Sequence, residues 1–221
     1  MVVATSTLAG RPLQTEDAGV LDKGNCEVER AAMRSTAAGA SQREWGLSLG
    51  CGLSWRSQIG LGLGAAREAG QTTRLAQLGG KTGLWRAQGN GGAELTLAWA
   101  LGGSRDPRRD WSHTSNMLQL VASLPAGHAV MHLNLGHEHD RSVRQNTTTW
   151  NLALEAPPHR LGGLGLAPMA ELFGDDRGSA WWNLALRATM LPERLFLDLS
   201  YGRKTSGGHD KLLTAGFKFA F

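Results

Sequence analysis

The last nine residues read Leu213-Thr214-Ala215-Gly216-Phe217-Lys218-Phe219-Ala220-Phe221. Odd positions carry Leu, Ala, Phe, Phe and Phe; even positions carry Thr, Gly, Lys and Ala. A β-strand turns successive side chains to opposite faces, so this two-residue period belongs to a strand with one apolar face. The same period runs back through the chain. Leu195, Leu197, Leu199 and Tyr201 oppose Phe196, Asp198, Ser200 and Gly202. Trp182, Leu184 and Leu186 oppose Asn183, Ala185 and Arg187, and Leu95, Leu97, Trp99 and Leu101 oppose Glu94, Thr96, Ala98 and Ala100. Twelve such segments are legible, at 24–34, 43–53, 58–68, 74–87, 91–104, 112–123, 128–138, 145–156, 164–173, 180–190, 194–203 and 211–221. None has a 3.6-residue period. The expectation is an all-β chain of about twelve antiparallel strands.

Composition narrows the class. Glycine accounts for 30 of 221 residues, about twice its usual share, and charged residues for only 19%. No run of about 18 apolar residues exists, which excludes a membrane-spanning helix. The glycines follow no G-X-Y period, which excludes collagen. Two cysteines are too few for a Cys-only zinc site. A net charge of +4 with no Lys/Arg stripe gives no reason to expect nucleic acid as a partner.

Alternating strands build either a soluble barrel or sandwich, or a membrane barrel. A soluble β-protein shows Lys, Glu and Thr on its outer face. Here the second face is Gly, Ala, Ser, Thr and Asn with sparse charges, which suits a confined lumen, while the Leu and Trp face suits lipid. Strands of about 10 residues, tilted about 45°, cross the hydrocarbon layer. Short connections at 54–57, 88–92, 125–127 and 192–193 alternate with charged stretches at 35–42, 105–110, 140–144, 174–179 and 204–210, read as longer outer loops; the turn at 156–163, with Pro157 and Pro158, breaks the rule by being long. Trp45, Trp55, Trp85, Trp111, Trp181 and Trp182 fall near strand ends, where aromatic girdles sit; Trp99 and Trp150 fall nearer mid-strand. These signs select a transmembrane antiparallel up-and-down β-barrel with the lipid bilayer as its surroundings.

The terminal strand carries a further pattern: Thr214, Gly216, Phe219 and Phe221 resemble the C-terminal β-signal of bacterial outer-membrane proteins. That resemblance implies the outer-membrane barrel assembly machinery as a partner, reading the strand by edge pairing. Near the other terminus, Thr15-Glu16-Asp17-Ala18-Gly19-Val20-Leu21-Asp22-Lys23-Gly24-Asn25-Cys26-Glu27-Val28-Glu29 resembles the opening of the outer-membrane β-barrel family named for the meta-pathway of phenol degradation. The resemblance implies a bacterial outer-membrane location and transport of a hydrophobic or aromatic solute. Met1-Val2-Val3-Ala4-Thr5 has neither a basic region nor a long apolar core, so the expectation is a mature chain whose signal peptide has been removed. The division expected is an extended periplasmic segment, 1–23, and a barrel, 24–221.

With the apolar face outward, the lumen receives Glu27, Glu29, Lys81, Glu94, Gln119, His132, Asn134, Asn151, Glu155, Glu171, Asn183, Arg187, Asp198 and Lys218. Hairpin symmetry sets Arg187 opposite Asp198 and Asp198 near Lys218; Glu171 lies on the strand before Arg187, and closure brings Lys218 near Glu27. Two readings of this ladder of alternating charge stand: a constriction that filters solute by charge, and cross-strand pairs that neutralise a narrow lumen. Cys26 and Cys51 are equidistant from the centre of the 35–42 stretch, so they face each other near the periplasmic rim, either bridged or as two thiols.

Chemistry is not expected. His137 and His139 share a strand face without a third ligand, so no metal is implied. Ser123, His132 and Asn134 form no known hydrolase motif. Gly60-Leu61-Gly62-Leu63-Gly64 sits within a strand and is no phosphate loop. No catalytic residue and no cofactor is expected. The functional expectation is a narrow channel or transporter for a small solute. The alternatives are a non-conducting structural or adhesion-type barrel and, third, a lipid-active outer-membrane enzyme.

Overall fold

The computed structural model describes residues 13–37, 39–88, 92–206 and 210–221. The strands in chain order are β1 (Cys26–Ala37), β2 (Ala40–Gly52), β3 (Ser57–Glu68), β4 (Gln71–Arg86), β5 (Glu94–Arg105), β6 (Ser112–Ala126), β7 (Ala129–Asp140), β8 (Gln145–Glu155), β9 (His159–Leu161), β10 (Leu164–Asp175), β11 (Trp181–Leu191), β12 (Leu195–Lys204) and β13 (Lys211–Ala220). Every strand but β9 pairs antiparallel with its neighbours to form one ring. The ring closes between β13 and β1, from Glu27 opposite Ala220 to Thr36 opposite Lys211. Closure leaves no unpaired edge, which is what lets a sheet sit in hydrocarbon. Strand β9 is a three-residue flap on the start of β10.

All twelve barrel strands coincide with the segments marked by alternation. The side-chain distribution is the inverse of a water-soluble protein. Leu61, Leu135 and Leu199 are 54%, 60% and 56% exposed, while Thr96 and Asn183 are fully buried. The outer face carries leucines and tryptophans and the inner face carries Gly, Thr, Asn and the strand carboxylates.

Loop lengths differ from the sequence expectation. The 35–42 stretch is no loop: β1 and β2 continue until Ala37 faces Ala40. Gly39 takes the positive φ (+81°) that so tight a turn requires. Strands β3 and β4 likewise meet at Ala69 and Gly70. Polar residues near these tips extend the hairpins as strand, because a ladder satisfies their backbone groups as well as water would. The two ends of the barrel therefore differ little in loop length. One end holds both Cys26 and Phe221, joined by Cys26 N–H to Phe221 O (2.8 Å) and Phe221 N–H to Cys26 O (2.9 Å).

Candidate functional site

The lumen is occupied by the chain itself. Residues 13–22 do not lie outside the barrel, as the expected periplasmic segment 1–23 would; they descend inside it from mid-wall to the end holding the termini. Residues 1–12 lie outside the described residues. The reason is chemical: the inner wall is lined with amide, hydroxyl and charged groups, and a short extended peptide offers the donors and acceptors that satisfy them.

The contacts are made almost residue by residue. Buried Glu171 on β10 accepts the N–H groups of Gln14 and Thr15 (both 3.0 Å), the Thr15 hydroxyl (2.7 Å) and Asn183 Nδ2 (2.7 Å). Asn151 donates to Gln14 O (2.8 Å). Asn134, in the amide orientation that satisfies both groups, accepts Glu16 N–H (2.8 Å) and donates to Glu16 O (3.0 Å). Lys81 pairs with the Glu16 carboxylate (2.5 Å) and donates to Asp17 O (3.3 Å). Ala18, fully buried, donates to Ser123 Oγ (2.8 Å) and accepts from Thr96 Oγ1 (2.6 Å). Leu21 N–H donates to Gln58 Oε1 (2.8 Å). Leu13 packs with Ala153, Met169 and Ala185, and Ala18 with Ala98 and Val121. At the exit Gly52 is indispensable: a Cβ there would lie 2.1 Å from Asp22 O.

The charges expected as one ladder form separate groups. Arg187 faces Asp198 and binds it twice, Nε to Oδ1 (2.8 Å) and Nη2 to Oδ2 (3.2 Å), with Glu155 Oε1 4.0 Å from Nη1. Its guanidinium also lies 5.6 Å from the Phe196 ring centre. Lys218 pairs with Glu27 and sits 3.5 Å from Glu29. Asp198 is not beside Lys218, because its β13 partner is Gly216 and Lys218 faces Phe196. Glu171 is not beside Arg187: it faces Asn183, while Arg187 faces Ala167. The β12–β13 register is centred one residue earlier than expected, so Gly216 faces Asp198 and Lys218 lies one inward-facing position away. Glu171 instead clamps the lumenal segment.

Cys26 and Cys51 face each other across β1 and β2 and form a disulfide, with Cα atoms 4.1 Å apart. Of the assembly-signal residues, Thr214 is buried toward the lumen, Gly216 lies between Ala31 and Asp198, and Phe219 and Phe221 stack outside at 6.0 Å. His137 is exposed and His139 bonds Asn146 (2.7 Å); His209 lies outside the described residues. Among the described residues no group of three metal-ligating side chains converges. Ser123 and His132 do meet, Oγ to Nδ1 at 2.8 Å, with Glu155 3.5 Å from His132 Nε2. The Ser123 oxygen already accepts from Ala18.

Between the segment and strands β1 to β6 lies a cavity of about 300 Å³, walled in part by Glu16, Asp17, Gln58, Lys81, Gln119 and Lys218. Glu16 and Asp17 were not expected in the lumen. The signal for them was the polar 15–19 motif just before the first strand, which carries no strand period of its own.

A family model described as "Uncharacterised conserved protein UCP029691" matches residues 1–221. The chain belongs to that family. No curated protein matches it. Among solved structures, this family member is similar to the KdgM porin (7% identity, TM-score 0.58, covering 87% of this chain and 99% of that one). It is also similar to the β domain of the Bordetella autotransporter BrkA (15%, 0.57, 90% and 99%). A third similar structure is the COG4313 outer membrane channel from Pseudomonas putida F1 (14%, 0.54, 93% and 98%). At such identities the likeness is one of fold: a closed twelve-stranded barrel. With its apolar exterior and polar interior, this is a barrel of the bacterial outer membrane.

Proposed function

We propose that this family member is a narrow outer-membrane channel for a small polar solute, constricted by its own residues 13–22. The observation that carries the reading is how the segment is held. Its backbone is tied to the wall mainly by side-chain hydrogen bonds, each exchangeable with water or solute at small net cost, and a polar cavity runs beside it. The wall of that cavity offers Gln119, Lys81 and carboxylates, which supports a polar solute over the aromatic one that the phenol-pathway resemblance implies. In this reading the lumen performs no bond chemistry, since Ser123 and His132 are engaged in holding Ala18.

Single-channel recording in planar bilayers tests it. The full chain is expected to give a small conductance, and deletion of residues 1–22 a larger one. Silence from both forms overturns the proposal. Current from the deletion alone favours the second reading, a barrel kept closed, for which the buried four-donor clamp on Glu171 is the specific support.

A further inference from the structure

The distribution of charge over the outer face points to a second binding surface. Every aspartate and glutamate within the barrel strands stands at a lumen-facing register position. Cations do not follow that rule. Near the end opposite the termini, the outer face of adjacent strands carries Arg203 on β12, Lys211 on β13, Arg34 on β1, Arg43 on β2, Arg67 on β3, Arg74 on β4 and Arg105 on β5. Several are direct cross-strand neighbours: Arg203 faces Lys211, Arg34 faces Arg43, Arg43 faces Arg67, and Arg74 faces Arg105. All but Arg203, which is half-buried, are exposed. Between β13 and β1, and again between β3 and β4, the row steps two residues toward the termini. Such steps offset the climb of paired positions around a tilted barrel and keep the row near one level.

Like charges directly opposite one another on a sheet repel. Among the described residues none of these cations has a carboxylate within ion-pair distance, so no ion pair among those residues relieves the repulsion. The row lies just above the apolar band, next to Trp45, Leu101, Tyr201 and Leu213, which are all exposed. Arg30 lies four residues deeper on the same face of β1, opposite Leu47 and Phe217. An arginine at that depth is costly unless its long stem carries the guanidinium up to an anion. The outer faces of β6, β7, β8, β10 and β11 carry no Lys or Arg, so the cations cover one side of the barrel only.

We infer that this row is a binding surface for a lipid whose headgroup carries several phosphates, the chemistry of the glycolipid in the outward leaflet of an outer membrane. Acyl chains would lie on the leucines of β2, β3 and β5, and phosphates would take the guanidinium forks in paired, charge-assisted hydrogen bonds. Bound lipid would then be the counter-charge that this side of the barrel requires. The inference stands apart from the channel proposal, since it concerns the opposite face of the wall.

The test uses the full folded chain in phosphatidylcholine nanodiscs, with bis-phosphorylated lipid A added and lipid retention read by native mass spectrometry. Lipid is expected to stay bound to the unaltered protein. Retention is expected to fall about tenfold or more when the same lipid is dephosphorylated, and similarly in the combined Arg34→Gln, Arg43→Gln, Arg67→Gln variant. Arg141→Gln with Arg144→Gln, on the β7–β8 turn, is expected to leave retention unchanged. Equal retention of the dephosphorylated lipid by the unaltered protein overturns the inference whether or not the variant folds. So does equal retention by a variant that folds, or complete displacement by millimolar inorganic phosphate, which would make free phosphate the ligand.

Discussion

Glu171 shows how one residue can govern the lumen. Its two oxygens accept four hydrogen bonds, three of them from residues 14 and 15. Glu171→Ala would strand those donors, at about 1–3 kcal/mol for each one left buried and unpaired. Because a peptide can leave a wall more easily than the wall can rearrange, the expected outcome is a segment released from β10 while the barrel stays folded. The measurements are increased protease cutting before residue 22 and larger single-channel currents. The Arg187–Asp198 pair predicts a different pattern. Arg187→Ala leaves Asp198 buried without its partner and should lower stability by about 3–5 kcal/mol in urea unfolding from micelles. Arg187→Met combined with Asp198→Leu should recover most of that loss, since no charge is then stranded.

Two elements stand out. The β1–β2 hairpin is pinned at its open end by the Cys26–Cys51 disulfide, which encloses a separation of 25 residues. By limiting the unfolded chain, such a bridge contributes roughly 3 kcal/mol. Cys26→Ser with Cys51→Ser should lower the urea midpoint by a corresponding amount while leaving conductance unchanged. The β13 strand closes the ring on β1 over its whole length, yet the aromatic that follows it, Phe221, is exposed and, among the described residues, stacks on the Phe219 ring alone. Phe221→Ala, which keeps the two backbone hydrogen bonds to Cys26, should therefore cost folded stability little. If the terminal pattern is an assembly signal, the substitution should nonetheless reduce the amount of barrel reaching the outer membrane in cells. Comparing refolding in micelles with cellular yield separates the two roles.

At the scale of the molecule, closure makes the barrel one cooperative unit, because each of the twelve ring strands is paired on both sides and the ring has no edge to fray. The protein should therefore resist sodium dodecyl sulfate unless boiled and run faster on a gel unboiled than boiled. Identical mobility of the two samples would contradict the closed fold. The Glu171→Ala change should leave this shift intact, since it loosens the segment and not the wall.

The sequence by itself determined the wall. Side-chain direction along a strand has a period of two whatever the neighbours, so twelve alternating segments, their lipid and lumen faces, and the pairing of Cys26 with Cys51 about a hairpin centre were all legible locally. Arg187 opposite Asp198 followed from the same symmetry, because that hairpin is short. Tertiary structure decided what local periodicity does not encode. Where a connection is long, its own midpoint fixes register poorly: closure correctly set Lys218 near Glu27, but Gly216, not Lys218, stands opposite Asp198. Residues 13–22 have no strand period because they pair with no strand; side chains from seven different strands hold them, and those converge only once the barrel is closed. The row of outward arginines was hidden for the same reason: each is a single polar residue near the end of its own strand, and only the pairing of one strand with the next makes them neighbours.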